Sequence, residues 1–182
     1  MPLHRSHAYR LHRSPSWPVL AVALAALTIA SGASAAEWTH YTNARFGASA
    51  DVPADFVIQP PPENGDGRSW KSVDGKGEIS IYGSFAANAD SFDEYRRQEL
   101  GYAQDDGVTV TYQSGKADAW FAYSGTVGGD VVYMKAVRAQ PCASLVVNHI
   151  YLRYPAEQKA RYDAIVAHAA QSLHSEPAAE CQ

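Results

Sequence analysis

The sequence predicts an α+β protein with a single, mainly antiparallel sheet of about six to seven strands and two covering helices. Three observations predict this class. Short segments rich in β-branched and aromatic residues recur along the chain. Turns too short for helical crossovers, such as Asp74-Gly75, separate most of them. Two longer segments instead carry apolar residues at helical spacing.

The first half of the chain predicts a strand, a loop and a hairpin. Residues 48–52 read as a short strand that ends at Pro53, and Phe56 to Ile58 form a brief apolar patch. Residues 60–67 are rich in proline and glycine, so they form a loop. Segments 68–73 and 78–84 pair around an Asp-Gly turn that tolerates positive φ.

A helix and four further strands follow. Asp90-Ser91 opens the helix, Asp93 and Glu94 suit its dipole, and residues 105–107 end it. The four extended segments are residues 108–113, 119–127, 131–138 and 144–153, with turns at 114–116, 128–130 and 140–141. Such short turns predict an antiparallel meander.

The last predicted element is a second helix over residues 155–173, with Pro155 in its first turn. Tyr162, Ile165, Val166 and Ala169 share one face of this helix. We expect that apolar face to pack on the sheet.

The opening of this domain resembles the PsbP-like and DcrB-like α/β/α sandwich proteins, a class of small exported bacterial proteins. The residues that carry the resemblance are Trp38, Tyr41, Asn43, Arg45, Phe46, Gly47, Asp51, Val52, Pro53 and Phe56. Val52 stands where a tyrosine is common in the class. The order of elements over residues 37–174 also agrees with that fold. The resemblance implies an accessory or binding role rather than catalysis.

The first thirty-six residues predict an export signal. Arg5, Arg10 and Arg13 form a positive region, and an uncharged apolar run extends over residues 18–30. Small residues allow cleavage near Ala35 to Ala36. The run is too short to span a bilayer, so we expect a mature periplasmic or secreted protein without an integral membrane segment.

Composition indicates one domain and excludes some partners. Residues 1–36 are the signal peptide, 37–174 the domain and 175–182 a C-terminal tail. Loss of the three signal arginines changes the net charge from −4 to about −7, because no acidic residue is lost with them. Such an acidic chain lacking a basic run is not expected to bind nucleic acid.

Cys142 and Cys181 are the two cysteines of the sequence. An even count in an exported chain predicts a disulfide between them, since that compartment is oxidising. Two free thiols are the alternative. The sequence has no Cys-x-x-Cys pair that would indicate redox catalysis.

Neither a metal site nor a cofactor site is expected. His40, His149, His168 and His174 show no spacing typical of metal ligands. The acidic, glycine-rich stretch 63–67, with Asp74 and Glu78 beyond it, does not match an EF-hand loop. We therefore interpret the histidines as satisfied or exposed residues and the stretch as a solvated turn.

No catalytic residue is predicted. The nearest approaches to a serine nucleophile elbow, around Ser84 and Ser124, do not complete its Gly-x-Ser-x-Gly pattern. The alternative is an exported hydrolase with a site assembled from distant residues, such as His149 with Asp66 or Glu78. A cluster of histidine and carboxylate in a closed pocket would favour that alternative.

Aromatic residues on the strands give a candidate ligand or partner surface. Trp120 and Phe121 are adjacent in a strand, so they point to opposite faces of the sheet. If the helices cover one face alone, the other face is free to bind. The candidate residues for such a surface are Arg68, Trp70, Tyr82, Trp120 and Tyr133.

These observations favour an exported, non-catalytic module that binds an unknown envelope protein or small ligand. A third possibility is an envelope assembly or stress factor that acts through protein contacts. An exposed aromatic patch would favour binding over catalysis.

Overall fold

The computed structural model of the protein describes residues 37–181. Its strands are Trp38–Thr42 (β1), Ala48–Pro53 (β2), Val57–Ile58 (β3), Gly67–Lys71 (β4), Glu78–Phe85 (β5), Thr109–Lys116 (β6), Trp120–Val127 (β7), Asp130–Arg138 (β8), Val146–Pro155 (β9) and His174–Ser175 (β10). Its α-helices are Phe92–Asp105 (α1) and Lys159–Ser172 (α2). The predicted signal peptide and its cleavage point lie outside the described residues.

Seven of these strands form an antiparallel sheet in the order β3-β4-β5-β9-β8-β7-β6. The hairpin predicted around residues 74–77 is present as β4 and β5, which pair from Gly67↔Tyr82 to Lys71↔Glu78. The later strands follow as the predicted antiparallel meander. The predicted α+β class is therefore confirmed.

A second, three-stranded sheet in the order β1-β2-β10 was not predicted. Trp38 to Thr42 pair with β2, although the sequence analysis assigned no strand there. His174 and Ser175 pair with the other side of β2. This pairing joins residues more than a hundred positions apart, which local patterns do not reveal. The expectation of a single sheet was thus incomplete.

The helix α1 begins where the sequence predicts. The Ser91 side chain caps it by accepting a hydrogen bond from the backbone N–H of Glu94 at 3.2 Å. The Glu94 carboxylate accepts one from the N–H of Asp90 at 2.9 Å. The bond to Ser91 satisfies an N–H group that the first helical turn leaves free, and the bond to Glu94 holds the residue before the cap.

The second helix begins later than predicted. Pro155 ends β9, where it lies opposite Asp130, and its ψ of 135° is extended. A 3₁₀ turn over Ala156–Gln158 then leads into α2. A proline has the same φ at the end of a strand as at the start of a helix, so the sequence did not distinguish the two.

The turn predicted at residues 114–116 is wrong, because β6 continues through them to Lys116. The chain reverses at residues 117–119 instead, with Asp118 at φ 61°. Gly115 is needed inside the strand, since a Cβ there would lie 2.8 Å from the Trp120 carbonyl oxygen. Gly115 permits this close packing, but the sequence pattern favoured a turn at that position.

The two helices cover opposite faces of the large sheet. α2 and the small sheet pack on one face, where Ile81, Ile150 and Tyr162 are buried. α1 packs on the other face, where Tyr95, Phe121 and Met134 are buried. The predicted apolar face of α2 thus packs as expected, and neither face of the sheet is left without a helix.

The C-terminal residues are fixed to the domain. Cys142 and Cys181 form a disulfide with a Cα–Cα distance of 4.3 Å. They pack beside Phe46, Ala139 and Val146. The segment assigned to a tail from residue 175 therefore contributes to a strand and to a disulfide.

Candidate functional site

The five candidate surface residues do not form one surface. Trp70 is a core residue, 6% exposed, with its ring 5.0 Å from that of Tyr41. Tyr82 lies on the opposite face of the sheet and stacks on His149 at 4.5 Å. Trp120 and Tyr133 come together at a depression beside α2, and Arg68 and Tyr82 line a different one.

We call this depression the aromatic groove. Three neighbouring strands supply its aromatic floor: β6 gives Tyr112, β7 gives Trp120 and β8 gives Tyr133. Val166 and Ala170 of α2 form one wall. The volume is about 340 Å³, and the Tyr112 side chain is 54% exposed. Alternation along each strand places these rings on one face.

The polar groups of the aromatic groove include Lys135, Tyr133 and Asp163. The Lys135 ammonium donates to the carbonyl oxygen of Ala170 at 2.6 Å and lies 5.6 Å from the Trp120 ring. Burial lowers the pKa of Lys135 and raises that of Tyr133 to about 12. The groove therefore presents a neutral phenol and a lysine tethered to α2 beside aromatic rings, features that suit binding.

A second depression lies on the other side of the β6 edge, and we call it the polar groove. Phe92, Asp93 and Arg96 of α1 line it together with Lys116 and the turn residue Asp118. Its volume is also about 340 Å³. Arg96 and Asp93 pair at 2.9 Å, so the groove carries charges of both signs.

Arg68 and Tyr82 line a wider depression of about 670 Å³ near the opposite edge of the sheet. The proline-rich loop 60–66 borders it, and Ser80 and Tyr151 contribute to its floor. Burial raises the pKa of Tyr82 above the ordinary phenol value. We call this site the tyrosine depression.

The outer face of the small sheet holds a histidine cluster that the sequence analysis missed. His40 Nδ1 lies 2.8 Å from Asp51 Oδ1, and His40 Nε2 lies 2.9 Å from Ser49 Oγ. This order of serine, histidine and carboxylate is that of a hydrolytic triad. Alternation of polar residues in the two short segments 38–42 and 48–53 is the sequence pattern that could have revealed it.

The geometry of Ser49 argues against a nucleophile. Its side chain is fully buried, with 0% exposure, and its hydroxyl also lies 2.9 Å from Thr42 Oγ1. β2 is the central strand of its sheet and pairs with β1 and β10, and the Asp51 N–H donates to the Ser172 hydroxyl at 2.8 Å, so these N–H groups are not free to form an oxyanion hole. A substrate therefore could not reach the Ser49 hydroxyl, and no N–H group of β2 is placed to stabilise an oxyanion.

Asp51 instead acts as a shared acceptor for two histidines. His168 Nε2 contacts its second carboxylate oxygen at 2.9 Å, and the His168 ring stacks on Trp38 at 3.8 Å. The hydrogen bond from His40 is the main cause that lowers the pKa of Asp51. These contacts agree with the interpretation of His40 and His168 as satisfied residues.

His149 does not combine with the partners proposed for a hydrolase. It is buried, and its Nε2 shares a hydrogen bond of 2.8 Å with the Tyr95 hydroxyl. Burial lowers the pKa of His149 to about 3, so the imidazole is neutral at physiological pH. Asp66 pairs with Arg45 at 2.6 Å, which also accounts for the carboxylate in the stretch considered for calcium.

Within residues 37–181, no group of three or more histidine, cysteine or acidic side chains is arranged to hold a metal ion. No helix in the same range is long and apolar enough to cross a membrane.

Comparison with solved structures identifies the fold. The solution structure of the cyanobacterial PsbP protein CyanoP from Synechocystis matches 82% of this chain and 99% of its own with a TM-score of 0.58 and 10% identity. The Ran-binding protein Mog1p from Saccharomyces cerevisiae matches 78% of this chain and 96% of its own with a TM-score of 0.54 and 9% identity. No family model and no curated protein matches the sequence. The chain therefore has a PsbP-like fold, as its opening residues predicted.

Proposed function

We propose that this protein is an exported, non-catalytic binding or accessory module that acts in the periplasm on an envelope protein. Its binding surface is the aromatic groove with the adjoining β6 edge. The observation that carries the proposal is the grouping of Tyr112, Trp120 and Tyr133 on an open face at the edge of the sheet. The Tyr112 ring is exposed and the other two rings are partly buried. Aromatic residues grouped in this way are typical of protein-binding surfaces.

Two further observations support export and a binding role. The disulfide between Cys142 and Cys181 is typical of oxidising compartments, and residues 1–36 have the pattern of a cleaved signal. One protein of similar fold is named for binding Ran, so this fold can serve protein recognition. The mature protein would then be one domain beginning near residue 37.

A small ligand is the second candidate, and the tyrosine depression favours it. That site combines Tyr82 and Tyr151 with Ser80 and Glu78 in a concave region. A few polar groups among aromatic walls are common in small-molecule sites. The hydrolase alternative has less support, because Ser49 is inaccessible and His149 contacts Tyr95.

The experiment is native mass spectrometry of the protein recovered from the exported fraction of the cells that produce it. We expect a chain that begins near Glu37, contains the disulfide and retains a protein partner. Trp120→Ala should release that partner. Trp38→Ala is the matched control, since Trp38 stacks on His168 outside the groove, and it should retain the partner.

The other outcomes separate the alternatives. A small molecule that is retained by the wild type and lost in Glu78→Gln would move the binding site to the tyrosine depression. Recovery of the protein only in the cytoplasm would contradict export. Partner release by Trp38→Ala but not by Trp120→Ala would place the surface elsewhere.

A further inference from the structure

The β6 edge offers backbone groups to a partner as well as side chains. The Lys116 carbonyl accepts a hydrogen bond from the N–H of Ala119 at 3.1 Å, so the backbone of Lys116 faces β7. Successive residues of an antiparallel strand direct their N–H and C=O groups to opposite sides. By this alternation, the backbone groups of Gln113 and Gly115 face away from the sheet.

Few features protect this edge against pairing with another strand. A β-bulge interrupts the register between Val110 and Tyr112, but residues 112–116 pair regularly with β7. All five are exposed, and Lys116 is the single charged residue among them. Natural edge strands are commonly protected by prolines, inward charges or a covering segment. Residues 112–116 contain no proline, and no other described strand pairs with their outer side.

The two grooves lie on opposite sides of this edge. Tyr112 lies on the face of the aromatic groove, whereas Gln113 lines the polar groove. A strand added beside β6 would direct alternate side chains to the two faces of the sheet. Every second side chain of the added strand would reach the aromatic groove, and the side chains between them would reach the polar groove. Strand addition gains affinity from the backbone and specificity from such alternate pockets.

We propose that β6 binds an extended segment of a partner protein as an eighth strand of the sheet. Apolar or aromatic side chains of that segment enter the aromatic groove, and polar or charged side chains enter the polar groove between Asp93, Arg96 and Lys116. This inference rests on the proposed function, because it specifies how the same surface recognises its partner.

A second copy of this chain fits the edge less well. Five regular residues in each copy would pair over only about 17 Å, a strip much smaller than stable dimer interfaces need. The mature chain also has a net charge of about −7, so two copies repel each other. A single extended segment avoids both costs and fills the grooves.

The test uses the mature protein and a display library of nine-residue peptides in which apolar residues alternate with polar ones. We expect the selected peptides to show saturable binding to the mature protein. Methylation of the peptide backbone nitrogens that face β6 should weaken binding by about tenfold or more, since each lost hydrogen bond lies in a partly dry site. In amide hydrogen exchange, Gln113 and Gly115 should become protected when the peptide binds.

A pair of variants isolates the backbone contribution. Gln113→Pro removes an outward N–H, and we expect binding to fall by about tenfold or more. Gln113→Ala shortens the same side chain but keeps the N–H, so it should bind at least about fivefold more tightly than Gln113→Pro. Circular dichroism and thermal unfolding check that both variants are folded.

The outcomes also distinguish this inference from the proposed function. A peptide that binds equally to both Gln113 variants and tolerates methylation, yet is lost in Trp120→Ala, would overturn strand addition and leave the groove as the binding surface. A library without any binder would also overturn strand addition. In either case, native mass spectrometry of the exported fraction still tests the proposed function separately.

Discussion

The two edges of the seven-stranded sheet differ in length and in what covers them. At one edge, β3 has two residues and is followed by Gln59 and then by Pro60, Pro61 and Pro62, which have no backbone N–H to offer another strand. At the other edge, β6 has eight residues, and seven of them are exposed. One edge is closed to further pairing and the other is open.

The closed edge is also tied to the rest of the domain. Arg45 bonds to Asp66 in the loop after β3 and to Glu180 beside the disulfide, at 2.6 and 2.9 Å. Asn43 donates a hydrogen bond to the Gly65 carbonyl in the same loop at 2.9 Å. Contacts within the chain thus hold the loop beside the closed edge, whereas the proposed partner segment would cover the open edge.

The largest expected effect on stability distinguishes the two faces of the sheet next to β6. Phe121 is 2% exposed and packs against Phe92 at 5.5 Å, so Phe121→Ala should lower the free energy of unfolding by about 4 kcal/mol. Trp120→Ala should cost only about 1 kcal/mol, because its ring lies in an open groove. Urea denaturation measures both. Equal losses would make Trp120 a core residue and remove the basis for the aromatic groove.

Loss of the disulfide should loosen the closed edge. The double change Cys142→Ser with Cys181→Ser opens a crosslink between residues 39 positions apart. In the chain-entropy view, this lowers the free energy of unfolding by about 3 to 4 kcal/mol. Amide exchange should accelerate in residues 176–181 and in the loop 60–66 before it does so in β6. If amide exchange accelerates in β6 before it does so in residues 176–181 and 60–66, the disulfide does not hold the closed edge.

Acid should destabilise the centre of the sheet through His149, which lies between the two edges. Its pKa of about 3 in the folded protein is below the unfolded value of about 6.5. As the pH falls through 6.5 the unfolded chain therefore binds a proton first, and stability is lost until the pH reaches about 3. Between pH 7.5 and 4.5 this loss is about 3 kcal/mol.

The control for this prediction is His149→Gln, which removes the titrating group. Urea denaturation at both pH values should show a smaller pH dependence in the variant than in the wild type. An identical pH dependence would assign the acid sensitivity to other groups. His174, for example, has a pKa raised by its hydrogen bond to the Ser172 carbonyl, so its contribution has the opposite sign.

The smallest expected effect concerns the ion pairs of the closed edge. Arg45→Ala removes the contacts to Asp66 and Glu180, but Arg45 is partly exposed, so overall stability should change little. Amide exchange in residues 60–66 should become several-fold faster, and added salt should have a similar, weaker effect on the wild type. Unchanged exchange in this loop would show that the prolines and Asn43 suffice to hold it.

Local patterns predicted the elements whose determinants are close in sequence. The Asp74-Gly75 turn fixed the β4–β5 hairpin, and Ser91 with Glu94 marked the start of α1. Patterns failed where a distant residue decides the structure. β10 pairs with a strand at the other end of the domain, and Gly115 is small because Trp120 lies against it.

The candidate site was predicted only in part for the same reason. Trp120 and Tyr133 lie on neighbouring strands and share the aromatic groove. Trp70 has the same residue type and a similar strand context, but the small sheet covers it through Tyr41. Because the pairing of β1 with β2 was not predicted, the burial of Trp70 and the cluster of His40 and Asp51 were both missed.

The most direct test of the difference between the edges is photocrosslinking in the cells that export the protein. A photoreactive residue replaces Gln113 at the open edge or Gln59 at the closed edge. We predict one adduct from position 113, mapped by mass spectrometry to a single extended segment of a partner and lost in Trp120→Ala, and none from position 59. Equal adducts from both positions, or an adduct that persists without Trp120, would contradict the account.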